Sequence, residues 1–264
     1  MIGICRICNR ERNLVDSHVI PRSLYRDILD PAHPAHLYST TPGTFSKKSR
    51  VGIYGQFLCL DCESTFNQWD DYAAKFFLQD LPKTPIRQYD GDLLFAVQSL
   101  GLIDPDAGVL GRRLVPVFDY TKLKLFLLSV LWRAALCFHD YFRNVTLGVH
   151  IGAIRAMVLK GNAGDPDSYA CYLNTFDDSE AKQVAFCPHR LKFCGVNGYR
   201  IFMAGCSVFI KVDSRPLPAQ YNKVVLKPNS PLRVIHQKWA NSLEHRKVLE
   251  IAANATVHRP KVRR

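Results

Sequence analysis

Two cysteine pairs with the same two-residue gap stand in the first quarter of the chain, Cys5-Arg6-Ile7-Cys8 and Cys59-Leu60-Asp61-Cys62. A gap of two residues lets both thiolates of one tight turn reach the same ion. Two such turns complete a tetrahedral set of four sulfurs, closed to water and therefore structural. Zinc is the expected metal. A short segment with little core gains its folding energy from such a clip, because metal binding adds directly to stability. The other five of the nine cysteines carry no matching spacing. Cys137, Cys171 and Cys206 lie in apolar runs and read as packed thiols. Cys187, His189 and Cys194 are close in sequence, yet without a CxxC turn they are a weak candidate for a second metal. Between the two pairs lies Leu14-Val15-Asp16-Ser17-His18-Val19-Ile20-Pro21, a histidine after a polar residue and before two apolar residues and a proline.

The elements that must position these groups follow from pattern. Leu14 to Ile20 reads as a short strand stopped by Pro21, and Val51 to Leu58, rich in Val, Ile, Tyr and Phe, as a second. From Glu63 the apolar spacing changes to three and four residues, at Phe66, Trp69, Ala73, Phe76 and Phe77, which predicts an amphipathic helix. Residues 1–82 are thus read as a zinc-binding domain and 83–264 as a second, α+β domain. In the latter, 92–160 is expected to be mostly helical, with its longest helix over Tyr120 to Tyr141 and another over Val149 to Leu159. Strands are expected within 168–236, including Tyr169 to Leu173, Gln183 to Cys187, Tyr199 to Val212 and Lys223 to Leu226, in a mostly antiparallel sheet. Asn197-Gly198 reads as a hairpin turn. A helix over 237–253 and a basic tail from His258 to Arg264 complete the reading.

The cysteine pairs, the Ser17-His18-Val19-Ile20-Pro21 run and Leu58-Cys59-Leu60-Asp61-Cys62 together resemble the HNH nuclease superfamily, which has a ββα-metal fold. Ser129-Val130-Leu131-Trp132-Arg133 extends the likeness to a group of bacterial HNH-like proteins. The resemblance implies that His18 is the general base taking a proton from water that attacks a phosphodiester. It also implies a divalent ion, magnesium or manganese, beside that histidine. The family commonly carries Asp or His just before the base, where this chain has Ser17 with Asp16 one residue further back. It carries His directly after the last cysteine, where this chain has Glu63. Asp16 and Glu63 become the candidate ligands of the ion, with Asn67 one helical turn beyond Glu63 as an assisting residue. The family's middle Asn has no clear counterpart, Gln56 being the nearest amide. Each of these residues also has a plainer reading. His18 can be a structural histidine on the zinc hairpin, Glu63 a carboxylate that favours a helix N-terminus, and Asn67 and Asp70 solvated residues of a helix face.

A net charge of +12 and a pI near 9.3 favour a polyanionic partner, since clustered Lys and Arg gain affinity by releasing counterions from phosphates. Nucleic acid is the expected partner, DNA ahead of RNA, with Arg22, Arg26, Lys47, Lys48 and Arg50 as candidate backbone contacts. A protein partner or a second copy of the chain is left open. An apolar fraction of 47% excludes a disordered chain. No GxxxxGK[ST] or GxGxxG occurs, which argues against an ATPase or dinucleotide enzyme. The longest apolar run, Leu125 to Phe138, is interrupted by Ser129 and Arg133 and is shorter than the roughly 20 residues that cross a bilayer. No secretory signal opens the chain, so a cytoplasmic, membrane-free protein is expected. The reading open beside a nuclease is a catalytically silent, zinc-containing nucleic-acid-binding module, or a subunit of a larger complex. A mobile-element or antiviral setting is an analogy with the family.

Overall fold

Turn chemistry places the first sheet. Strand β1 (Ile2–Ile4) runs into the first cysteine turn, which closes at Asn9 in the left-handed region (φ 54°), a conformation Asn adopts at little cost. The chain returns as β2 (Glu11–His18), antiparallel to β1 with Ile2 opposite Asn13. This computed structural model describes residues 1–25, 35–37, 47–49, 52–88, 91, 109–193, 195–240 and 242–257. β3 (Ala35–Leu37) and β4 (Lys47–Ser49) pair with one another. β5 (Tyr54–Cys59) then pairs with β2, Leu14 opposite Cys59 and His18 opposite Tyr54, to complete a three-stranded sheet in the order β1-β2-β5. Helix α1 (Leu60–Ser64) starts directly at the end of β5, with Cys59 as its N-cap, and α2 (Asn67–Lys75) follows after a two-residue break. The apolar spacing from Phe66 therefore does form a helix, and it buries Phe66, Trp69, Ala73, Phe76 and Phe77.

The remainder is built on a seven-stranded sheet. Its strands are β6 (Ile86–Arg87), β7 (Val109–Val115), β8 (Cys171–Phe176), β9 (Phe186–Phe193), β10 (Val196–Met203), β11 (Cys206–Lys211) and β12 (Leu232–Gln237). Their spatial order is β6-β7-β12-β8-β11-β10-β9. All neighbours are antiparallel except β12 and β8, so the sheet is mixed. The class is α+β. Helix α3 (Tyr120–Leu136) is buried on nearly every side, as an apolar helix without a polar face must be. Its N-terminus is capped by Asp119, whose side chain accepts from the Lys122 N–H at 2.9 Å. Helix α4 (His150–Lys160) ends on the left-handed Gly161, and α5 (Leu243–Val257) is the last element described. One cluster of buried apolar side chains reaches from Cys5 to Val234, across the boundary read at 82/83. Among the described residues no helix is long and apolar enough to cross a membrane.

Four expectations need correction, each for a physical reason. Residues 109–115 form a strand inside the stretch expected to be helical. Gly111 permits this, because a Cβ there would stand 2.3 Å from the carbonyl oxygen of Arg87 on the neighbouring strand. The long helix stops at Leu136 instead of Tyr141, where His139 turns its Nδ1 back to accept from the Tyr141 N–H at 3.2 Å. Lys223 to Leu226 is not a strand but the end of a 3-10 turn (Ala219–Lys223), between Pro218 and Pro228, that folds Val224 and Val225 against the sheet. Asn197-Gly198 is not a turn but lies inside β10. Its glycine makes room for Phe209, whose ring would meet a Cβ at 2.4 Å. The hairpin turn between β10 and β11 is instead Ala204-Gly205, both at positive φ (50° and 69°), the signature of a primed turn.

The sheet core also sets an acid limit. His236 is 2% exposed, its Nδ1 3.0 Å from Thr175 Oγ1, and burial together with the Arg113 charge pushes its pKa down to about 4. The unfolded chain, with a histidine pKa near 6.5, therefore binds more protons than the folded one between these values. Stability is fully present above about pH 6.5 and falls as pH drops towards 4. Urea titrations at pH 7 and pH 5 are expected to differ by about 1–2 kcal/mol at this site, since each pKa unit corresponds to roughly 1.4 kcal/mol. In His236→Gln the difference should shrink, and an unchanged pH slope in that variant would remove the assignment.

Candidate functional site

The two knuckles, separated by more than fifty residues, meet. Cys5 and Cys8 come from the β1–β2 turn, Cys59 and Cys62 from the β5–α1 junction, and β2–β5 pairing carries one to the other. Their sulfurs all lie within 4.8 Å of one another. Four sulfurs about 2.3 Å from one ion at tetrahedral angles stand roughly 3.8 Å apart, so the set fits a metal such as zinc. Backbone geometry supports the thiolate form. The Cys59 N–H donates to Cys5 Sγ at 3.4 Å. Burial would raise the Cys5 thiol, but the N–H groups of Cys8, Cys59 and Ile7 pull it down to about 6. Cys62 moves the other way, raised by burial and by its contacts with the Cys59, Cys5 and Cys8 thiols and the Cys5 charge. Four thiols this close resist joint ionisation unless a cation sits among them. The knuckle is also held from outside, as Arg155 on α4 donates to the Ile7 carbonyl at 2.8 Å and Arg6 lies 4.4 Å from the Phe138 ring centre.

His18 ends β2, partly exposed, with its ring 5.6 Å from that of Tyr54 directly across the hairpin. Alternation along the strand then sorts its neighbours. Asp16 is exposed and accepts from Gln56 Nε2 at 2.9 Å, while Ser17 is fully buried. Glu63 on α1 faces Ser17. Burial raises the Glu63 carboxyl pKa; the Arg133 charge and the Ser17 hydroxyl oppose the rise, and the Asp70 charge adds to it. Ser17 Oγ and Glu63 Oε2 are nonetheless both buried without a hydrogen-bond partner. The structure therefore does not bring Asp16 and Glu63 to one point, and among the described residues the cysteine quartet alone forms a metal-competent group. Of the two expected ligands of a magnesium or manganese ion, Asp16 lies on the exposed side of β2 and Glu63 beside the buried Ser17.

One residue of this site was passed over as an interruption of an apolar helix. Arg133 on α3 is fully buried and spans the three elements around His18. Its guanidinium makes a bidentate pair with Asp70 (Nη2–Oδ1 2.8 Å, Nη1–Oδ2 3.0 Å), donates to the His18 carbonyl at 3.2 Å and to Ser129 Oγ at 3.2 Å, and lies over the Phe66 ring. Asp70 is consequently not a solvated helix-face residue. The sequence did carry a signal, since a buried arginine must find an acid and Asp70 lies two turns beyond Glu63 on the α1–α2 face.

Compared with models of known families, with curated proteins and with solved structures, the chain matches none. The geometry has to speak for itself. Asn67 is exposed at the start of α2, without a contact to the Glu63 carboxylate. Arg22 is exposed on the 3-10 turn (Arg22–Tyr25) just past His18, in reach of a ligand on that side of the hairpin. Lys47 and Lys48 lie on β4. Arg26 and Arg50 fall outside the described residues. Cys194 does too, while Cys171, Cys187 and Cys206 are buried thiols, as their apolar runs suggested for the first and last.

Proposed function

We propose that the protein is a zinc-stabilised nuclease that hydrolyses nucleic-acid phosphodiester bonds with His18 as general base. The observation that carries this reading is the position of His18, partly exposed on the hairpin with its carbonyl anchored by Arg133. Directly behind it two buried oxygens, Ser17 Oγ and Glu63 Oε2, have no partner. Imidazole is the side chain suited to take and give protons in this chemistry. In the reaction the imidazole takes a proton from water as the water oxygen attacks phosphorus. The bond from phosphorus to the leaving oxygen breaks, and that oxygen takes a proton from solvent. A magnesium or manganese ion, with Glu63 as its candidate carboxylate ligand, would supply charge stabilisation to the leaving group. Zinc bound by Cys5, Cys8, Cys59 and Cys62 holds the hairpin against α1 and takes no part in the chemistry. The net charge of +12 suits the substrate, DNA before RNA, and Arg22, exposed just past His18, would contact its backbone.

Purified protein should nick DNA or RNA with magnesium or manganese. His18→Ala should lower the rate by at least the 10²–10⁴-fold typical of a lost general base, with zinc content unchanged. Equal cleavage in that variant would sink the mechanism. A second reading, a nucleic-acid-binding module without cleavage, is favoured by the Arg133–Asp70 pair. It puts a fixed positive charge close to where the ion would sit. Salt-sensitive binding with no nicking under any divalent ion would decide for that reading.

A further inference from the structure

At the far end of the large sheet, the outermost strand β9, its neighbour β10 and the start of α5 enclose a cleft of about 520 Å³. This volume lies within the roughly 300–1,000 Å³ of small-molecule sites. Its lining is one-sided in charge. Arg190, Lys192, Arg200 and Lys247 contribute cations and Glu244 the one carboxylate. That carboxylate is already committed, since it pairs with Arg200 at 3.0 Å and accepts from Ser207 Oγ at 2.8 Å. Lys247 pairs with Glu250 at the exposed rim, whereas Arg190 and Lys192 have no acidic partner among the described residues.

Deeper in, two nitrogens are left over. The Arg200 side chain is 6% exposed, and its Nε has no hydrogen-bond partner. Neither has the buried Nδ1 of His189, directly across from Arg200 on β9. Leu191, Phe193 and Leu243 complete the wall with apolar surface. A cationic cleft with unmatched buried donors calls for a compact anion, and the apolar wall calls for an organic body attached to it.

We infer that this cleft binds a phosphate monoester with a planar or apolar organic part, a nucleotide either free or at the end of a strand. The phosphate would lie against Arg200 and Lys247, with Arg190 and Lys192 adding positive charge around the open edge of β9 and the base or sugar against Leu191 and Phe193. The state of His189 agrees with this. Burial and the charges of Arg200 and Lys247 push its pKa down to about 3, so the ring is neutral and offers a hydrogen bond without adding charge.

The site is independent of His18, and its test keeps the two apart. Isothermal titration of the full chain would use inorganic phosphate, a nucleoside 5′-monophosphate, its parent nucleoside and an oligonucleotide with or without a 5′-phosphate. The monophosphate should bind at least tenfold more tightly than the nucleoside. The double variant Lys192→Glu/Lys247→Glu, at one exposed and one half-buried lysine, should lose at least tenfold in monophosphate affinity while its melting temperature stays close to wild type. His18→Ala should bind the monophosphate as wild type does. A phosphorylated oligonucleotide that binds more tightly than the monophosphate identifies a strand end, and equal or weaker binding identifies the free nucleotide. Equal affinity for nucleoside and monophosphate, no binding of any phosphate compound at millimolar concentration, or full affinity in the charge-reversed variant would overturn the proposal.

Discussion

Cys59→Ser is expected to reduce zinc from about one ion per chain to near zero and to unfold the N-terminal sheet. Cys59 has three tasks. It supplies one of the four sulfurs, and its N–H donates to another, while its backbone caps α1. Serine keeps the backbone cap but not the affinity, because zinc sites of this type are built on thiolates. Apparent binding energies of structural zinc run to about 10–16 kcal/mol in isolated fingers, comparable with the entire stability of a domain, about 5–15 kcal/mol. The three-stranded sheet has strands of only three to eight residues, too little to replace that contribution. Elemental analysis and thermal melting read the two effects. Cys206→Ser, which alters a buried thiol in β11 outside the quartet, should keep its zinc and serves as the control. Retained zinc in Cys59→Ser would refute the quartet as the metal centre.

The second large effect is expected at Arg133. Arg133→Met keeps much of the side-chain volume but leaves Asp70 and Glu63 without their cation. Removing one member of a buried pair typically costs about 3–5 kcal/mol, because the remaining charge is stranded. The Asp70 side chain retains 18% exposure, so the lower end of that range is expected. In the double variant Arg133→Met/Asp70→Leu the loss should be smaller than the sum of the single losses, with a coupling above about 1 kcal/mol. Chemical denaturation of the four proteins measures it. Additive losses would show that the pair does not act as a unit. The same substitution removes the donor on the His18 carbonyl, so under the nuclease reading proposed above cleavage should fall in Arg133→Met even where the fold persists.

What was legible in the sequence was local or strongly spaced. Two matched CxxC turns indicated a shared ion although they are far apart, because the gap itself is a geometric statement about one site. The helix through Trp69 and the apolar helix through Leu125 followed from periodicity. Less visible was anything decided by a partner distant in sequence. Val109–Val115 falls in a stretch that reads as mostly helical until β12 and β6 lie beside it, and Gly198 looks like a turn until Phe209 packs on it. Arg133 is the sharpest case. It was seen as a break in a hydrophobic run, whereas the requirement that a buried charge find an acid makes it the member that joins three elements. The resemblance indicated which positions adjoin His18, but only alternation along β2 shows that Asp16 is turned away and Ser17 inward.

The hydrogen bond from Arg155 to the Ile7 carbonyl gives the knuckle a long reach. It fastens the tip of the metal turn to a helix that contributes no ligand and lies on the far side of the sequence. If the quartet holds a metal, removing that metal would therefore loosen α4 as well as the fingertip, and the supply of a trace element would be felt as slack in a helix that never touches it.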